Sequence, residues 1–246
     1  MKTLSEKVIL VTGASRGIGA AIALRLASEG AKVIVNFAGS QEAADKIVGD
    51  ILSAGGDAIA LQADVSKSEE VKELFDAAIS HYGKIDVLVN NAGIMLTKLI
   101  KDTTDDDFTR QFDINVRGTF NTLREASTKL AHHGSIINFS STTTRVMMPT
   151  YGTYVASKGA VEQLTRVFAK EIGTRGINVN IVSPGPTNTK LFTDGKPREV
   201  IDRLASLSAF NRIGEPDDIA KIVAFLASDE AKWISAQNIG INGGMA

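Results

Sequence analysis

Seven short runs rich in valine and isoleucine, at 8–11, 33–36, 58–62, 87–90, 136–139, 178–182 and 239–241, alternate with segments of helical period. The helical segments are 17–28, 41–54, 69–82, 105–130, 151–174 and 216–228. The apolar runs are mostly continuous rather than alternating, which suits strands covered on both faces. Strand–helix alternation on this scale demands right-handed βαβ crossovers. The expected architecture is therefore α/β: a doubly wound parallel sheet of about seven strands with helices on both faces. Such sheets bind ligands outside the carboxyl ends of their strands, and the polar motifs of this chain follow its strands.

The chain has 246 residues, 43% of them apolar, and no Pro/Ser-rich connector, low-complexity tract or fixed-period repeat. A single domain over 1–246 is expected. A formal net charge of −1 supplies no general attraction to nucleic acid or an anionic membrane. No apolar run reaches the roughly 18–20 residues a bilayer span needs, and residues 1–7 hold too short an apolar stretch for a signal peptide. Cysteine is absent, which excludes disulfides and thiolate metal sites. A cytoplasmic protein without nucleic-acid, membrane or metal partners is the expectation.

The first motif, Thr12-Gly13-Ala14-Ser15-Arg16-Gly17-Ile18-Gly19, sits between the first strand and the first helix. Glycines here permit a tight turn and close approach of a pyrophosphate to the N–H groups of a helix start. The spacing is Gly-x3-Gly-x-Gly; the competing reading is a glycine-rich turn with no ligand. No acidic residue follows the second strand until Glu42, so no carboxylate is placed for a ribose 2′-hydroxyl. Asn36 and Ser40 offer neutral hydrogen bonds instead, and Arg16 can pair with a 2′-phosphate. This favours NADP(H), against the alternative that Arg16 is a solvated charge and either cofactor binds. Asp64, before Val65, is either an acceptor for adenine or a cap for the next helix. Asn90-Asn91-Ala92-Gly93 is either a turn or a brace for the sheet and a ribose. Asn115 and Gly118 weaken a long helix, suggesting a distortion or water site.

Tyr154 and Lys158, four apart in a helical segment, lie on one face. A cation beside a phenol favours the phenolate, and an unassisted tyrosine with a pKa of roughly 10 is a poor acid or base near neutrality. Tyr151 has Val155 at that spacing, so it reads as a pocket or packing residue. Ser141, in the hydroxyl row 140–144, lies thirteen residues before Tyr154. Pro184 and Gly185 set a turn before Thr187 and Thr189. Residues 188–211, with scattered apolar side chains, read as a substrate lid. His81, His132 and His133 are expected at helix ends in structural roles.

Taken together, Thr12 to Gly19, Asn90 to Gly93, Asn115, Ser141, Tyr154-x3-Lys158 and Pro184-Gly185 resemble the short-chain dehydrogenase/reductase family over the whole length. The resemblance implies a Rossmann-like single domain and an NADP(H)-dependent enzyme interconverting an aldehyde or ketone and its alcohol. It implies Tyr154 as proton donor, Ser141 as polariser of the carbonyl, and Lys158 as holder of the nicotinamide ribose that lowers the Tyr154 pKa. Asn115 would support a water leading from Lys158 to solvent. Gly13, Ser15, Arg16, Gly17, Ile18 and Gly19 would line the phosphate side, Asp64 and Val65 the adenine, and Asn90, Ala92 and Gly93 a ribose. Pro184, Gly185, Thr187 and Thr189 would meet the carboxamide and phosphates. The segments that choose substrate in that family carry Met95, Met147, Met148 and Phe192 here, an apolar lining suited to a hydrophobic carbonyl compound. The resemblance extends to aldehyde and carbonyl reductases, 3-oxoacyl-carrier-protein reductases and sugar or polyol dehydrogenases. A cofactor-binding scaffold without turnover is the alternative of another class. A homotetramer or homodimer is implied, packed through the helices at 105–130 and 151–174, with 233–246 as a second contact.

Overall fold

The structure is a computed structural model describing residues 3–246; Met1 and Lys2, part of the start read above as lacking a signal peptide, lie outside the described residues. Its strands are β1 (Val8–Val11), β2 (Lys32–Phe37), β3 (Asp57–Gln62), β4 (Val87–Asn90), β5 (Ser135–Phe139), β6 (Asn178–Pro184) and β7 (Asn238–Ile241). They form one parallel sheet in the order β3-β2-β1-β4-β5-β6-β7. The longer helices are α1 (Gly17–Ser28), α2 (Gln41–Ser53), α3 (Ser68–Tyr82), α4 (Asp105–Phe112), α5 (Gly118–Lys129), α7 (Gly152–Glu171), α9 (Arg198–Ala205) and α10 (Pro216–Ala227). Single turns α6 (Thr143–Val146) and α8 (Lys190–Thr193) lie between them.

The continuous apolar runs are explained by two cores. Val8, Leu10, Ile34, Leu88, Ile136 and Val179 pack against Leu74 and Phe75 of α3 and Leu123 of α5. The intervening residues Ile9, Val11, Val33, Val35, Val89 and Val182 face Ile22 and Leu26 of α1, Ile47 and Ile51 of α2 and Val223 of α10. Side chains alternate across a strand, so a strand buried on both faces needs an apolar residue at nearly every position.

The segment read as one helix over 105–130 is interrupted. Thr104 and Asp107 form a capping box that starts α4, but Asp113–Arg117 adopts a π turn before α5 begins at Gly118. A Cβ at Gly118 would stand 2.6 Å from Val65 Cγ2, so the close approach of α5 to Val65 requires glycine. The helix read from 151 begins at Gly152, with Tyr151 as its N-cap. The lid segment 188–211 contains α8 and α9, and its base is pinned by a parallel bridge between Thr187 and Gly214.

The order in which strands are added reverses between β1 and β4, opening a crevice at their carboxyl ends. Thr12 closes the bottom of it: its hydroxyl donates to Val89 O (3.3 Å) and accepts from the N–H groups of Asn91 (3.1 Å) and Ala92 (3.0 Å). Asn91 Nδ2 donates in turn to Thr12 O (3.0 Å) and Gly13 O (3.1 Å). The tie makes the glycine loop and the β4 loop one rigid floor.

Candidate active site

Above that floor an apolar cleft encloses about 860 Å³, including its open mouth. Its lining includes Ile18, Gly93, Pro184, Gly185, Thr187 and Thr189. Met95, Val146, Met148, Tyr151, Leu191, Phe192 and Met245 also line it, together with Ser141, Tyr154 and Lys158.

Ser141 is held in a specific hydrogen-bonding state. Its Oγ accepts from the backbone N–H of Thr143 (3.2 Å) and from Thr143 Oγ1 (2.9 Å). A hydroxyl has two acceptor sites and one proton, so Ser141 is left to act as a donor. It stands beside the Tyr154 phenol and favours its ionised form. Burial pushes the Tyr154 pKa up to about 12; the Ser141 hydrogen bond works against that rise and nearby Tyr151 adds to it. The phenol therefore keeps its proton throughout the neutral range. Tyr151 stands edge-on to Tyr154 with ring centroids 6.3 Å apart, and burial raises its own pKa.

Lys158 is buried, and burial lowers its pKa to about 8. Its Nζ donates to Phe139 O at 2.9 Å and lies 5.9 Å from the centroid of the Tyr154 ring. The ammonium is turned to a backbone carbonyl, and desolvation of the phenol is the largest influence on the Tyr154 pKa. Asn115 is buried where the helix is distorted. Its side chain accepts from Ile94 N (2.8 Å) and donates to Ile94 O (2.9 Å) and Ser157 Oγ (3.0 Å), bracing the 94–99 segment against α7. The π turn aims it there. Gln111, which sequence reasoning missed, makes a parallel brace from Leu96 N (2.6 Å) to Thr153 Oγ1 (2.8 Å).

The structure places the other expected positions as follows. Met147 is 71% exposed, in a left-handed conformation at the end of α6, and does not line the cleft. Asn36 is buried; its side chain accepts from Gly13 N (3.4 Å) and donates to Leu61 O (3.3 Å) and Ala63 O (3.1 Å). Both its amide protons are thus committed to the scaffold. Ser40 is exposed before α2 and its side chain makes no capping bond. Asp64 Oδ1 accepts from Ser66 N (2.9 Å) and Ser66 Oγ (2.8 Å), forming a turn ahead of α3 rather than capping the helix itself. Val65 is buried beneath Gly118. Asn90 donates to Asn138 Oδ1 (2.8 Å) within the sheet, while its own Oδ1 is buried without a partner. Ala92 lies against Gly13 and meets Thr12, so it shapes the floor. Met245 lies within the segment expected to form a subunit contact, yet it lines the cleft. No local pattern marks it: tertiary folding alone carries residue 245 to residues 141–151.

A nicotinamide dinucleotide fits the donors that the fold leaves unspent. α1 starts at Gly17 with no side-chain cap and no acidic residue in its first turn, leaving its N–H groups and positive dipole end for an anion. Gly13, Ser15, Arg16 and Ile18 surround this start. Gly17 faces Thr189 across the crevice, where an added Cβ would stand 3.5 Å from Thr189 Cγ2. A Cβ on Gly19 would meet Gly13 O and stand 2.6 Å from Asn91 Nδ2, so this glycine allows helix and loop to touch. At Gly93 a Cβ would lie 3.4 Å from Lys158 Nζ, and its absence keeps that ammonium approachable. Arg16 is exposed, with no carboxylate paired to it among the described residues.

A family model described as enoyl-(acyl carrier protein) reductase matches residues 13–246. A short-chain dehydrogenase/reductase of Serratia marcescens superposes with a TM-score of 0.94 at 38% identity, covering 99% of each chain. This chain belongs to the short-chain dehydrogenase/reductase family. It is an oxidoreductase of that family, with its Rossmann-like sheet. Versicolorin reductase of Emericella nidulans is 46% identical over 253 residues, covering 98% of this chain and 96% of that one. An angucycline C-6 ketoreductase solved with bound NADP has a TM-score of 0.93 at 38% identity, covering 99% of this chain and 96% of its own.

Proposed function

We propose that this short-chain dehydrogenase/reductase reduces the ketone of a hydrophobic, aromatic substrate with NADPH. The observation that carries the reading is the hydroxyl pair in the apolar cleft: Ser141, confined to donating by Thr143, beside a phenol that burial keeps protonated. Two donors converging on one point match a carbonyl oxygen that gains negative charge as it is reduced. Ser141 donates to that oxygen and Tyr154 delivers the proton that makes it a hydroxyl. NADPH, when bound, supplies the hydride. Lys158 then holds a ribose hydroxyl and places a cation near the phenolate left on Tyr154. Arg16 receives the 2′-phosphate, and the lack of a carboxylate after β2 removes the group that would repel it.

The aromatic character of the substrate is supported by the lining. Met95, Met148 and Met245 bring thioethers from three segments, which make favourable contacts with ring edges. The names versicolorin reductase and angucycline C-6 ketoreductase support the ketone reading. The decisive experiment compares kcat/KM for a bicyclic ketone such as 2-tetralone, a simple aldehyde and an acetoacetyl thioester, each with NADPH and NADH. The bicyclic ketone with NADPH is expected to be fastest. Preference for the thioester would transfer the assignment to 3-oxoacyl reduction, and tighter binding of NADH would overturn the part given to Arg16.

We also propose a homotetramer or homodimer, formed through α4, α5 and α7. Phe108, Phe120 and Val167 are 46%, 46% and 57% exposed there, a large apolar face to leave in water. Light scattering is expected to report an oligomer; a monomer would contradict it.

A further inference from the structure

Glu162 continues the Tyr154–Lys158 stripe by one more turn of α7, and the chemistry described so far makes no use of it. Its side chain is only 11% exposed. Oε1 accepts from Ser140 Oγ at 2.7 Å and from Thr144 Oγ1 at 2.9 Å. Oε2 lies 3.6 Å from Arg166 Nη2, which is half-exposed. Removing a carboxylate from water is costly, and a well-packed apolar side chain is often the more stable choice at such a position. What this carboxylate gains in return is a grip on two hydroxyls that bracket Ser141 in the chain.

The rest of that loop is held from the opposite side. Ser140 N donates to Val182 O (2.9 Å), Thr142 N to Pro184 O (3.0 Å) and Thr142 Oγ1 to Ser183 O (3.1 Å), all on β6. The β6 bonds set the loop's height above the sheet but leave the face toward α7 free. Glu162 fills that face. Thr144 has a single hydroxyl proton and two acceptors at 2.9 Å, Glu162 Oε1 and Ser141 O. The charged acceptor makes the stronger bond, so α7, which carries Tyr154, is tied directly to the loop that carries Ser141.

We propose that Glu162 is a positioning residue that sets the Ser141 hydroxyl against Tyr154 by holding Ser140 and Thr144. The proposal rests on the reading of Ser141 given under Proposed function. Its consequence is that Glu162 matters only while Ser141 is present to be positioned.

The test is a double-mutant cycle of Glu162→Gln with Ser141→Ala, measured as kcat/KM for the ketone, with the NADPH Kd from fluorescence as a second readout. With Ser141 intact, Glu162→Gln is expected to lower kcat/KM by about 10–100-fold, the scale of a small misplacement of a reacting group. NADPH binding should stay within about twofold, and in the Ser141→Ala background the same change should also cost no more than about twofold. An equal loss in both backgrounds, or no loss with Ser141 intact, would overturn the role of Glu162 alone. Full turnover by Ser141→Ala by itself would overturn the reading of Ser141 and this proposal with it. Should Glu162→Gln fail to fold, Thr144→Val removes one arm of the same grip at a partly exposed site and carries the same cycle.

Discussion

Tyr154→Phe is expected to lower kcat for ketone reduction by about 10²–10⁴-fold, the range attributable to a positioned general acid. The change deletes one oxygen and keeps the ring that packs edge-on against Tyr151. Lys158 keeps its bond to Phe139 O, and the glycine loop is untouched. NADPH affinity should therefore stay within about twofold, so the loss appears in kcat rather than in cofactor binding. Ser141 remains a donor because Thr143 still occupies its lone pairs. Steady-state kinetics with a fluorescence titration of the cofactor checks both halves. Retention of full turnover would show that the proton reaches the carbonyl oxygen by another route.

The second large effect is of opposite sign in activity and stability. Lys158→Met should abolish most turnover, because no cation then holds the ribose or faces the phenolate. Yet the cofactor-free protein should become more stable at pH 7. Lys158 titrates near pH 8 when folded, below its ordinary 10.5, because burial disfavours the ammonium. A lysine whose pKa is lower in the folded state lets the unfolded chain bind the proton more tightly. The resulting destabilisation is complete below about pH 8 and fades as pH rises through 10.5. The 2.5-unit difference corresponds to roughly 3 kcal/mol, from which the orphaned Phe139 carbonyl takes back about 1. For a chain of this size the remainder raises Tm by about 4–8 °C at pH 7. The gap between variant and parent should narrow steadily toward pH 10.5. Thermal melts across that range check it; a variant that melts lower at pH 7 would show that the amine's bond to Phe139 outweighs its desolvation.

How much of this was legible beforehand follows the range of the interactions involved. The sheet was legible because burial on both faces forces apolar residues at consecutive positions, a local and redundant signal. The Tyr154–Lys158 pair and the glycine loop were legible for the same reason, since each lies within one turn or one loop. Asn115 illustrates the boundary. Its disturbance of the helix could be read from propensity, but the partner its side chain takes, Ile94, is set by a π turn that packing selects. The surroundings of Asn36, buried in the scaffold, and of Met147, exposed, were not legible, because a residue at a strand end or in a loop can face ligand, scaffold or water, and spacing does not distinguish these.

By itself, then, the sequence determined the order of strands and helices, the ends at which chemistry must gather, and the identity of the phenol, ammonium and hydroxyl. Tertiary structure alone decided how those groups are poised. Desolvation is the largest influence on the Tyr154 pKa, because burial depends on every element packed around the ring. Thr143 fills the acceptor sites of Ser141, Glu162 grips the residues on either side of it, and Met245 closes the cleft from the far end of the sequence. The helix face that carries 154, 158 and 162 is a local pattern. What each of those side chains faces is a property of the assembled fold, since contacts between distant segments exist only after the chain has closed around them.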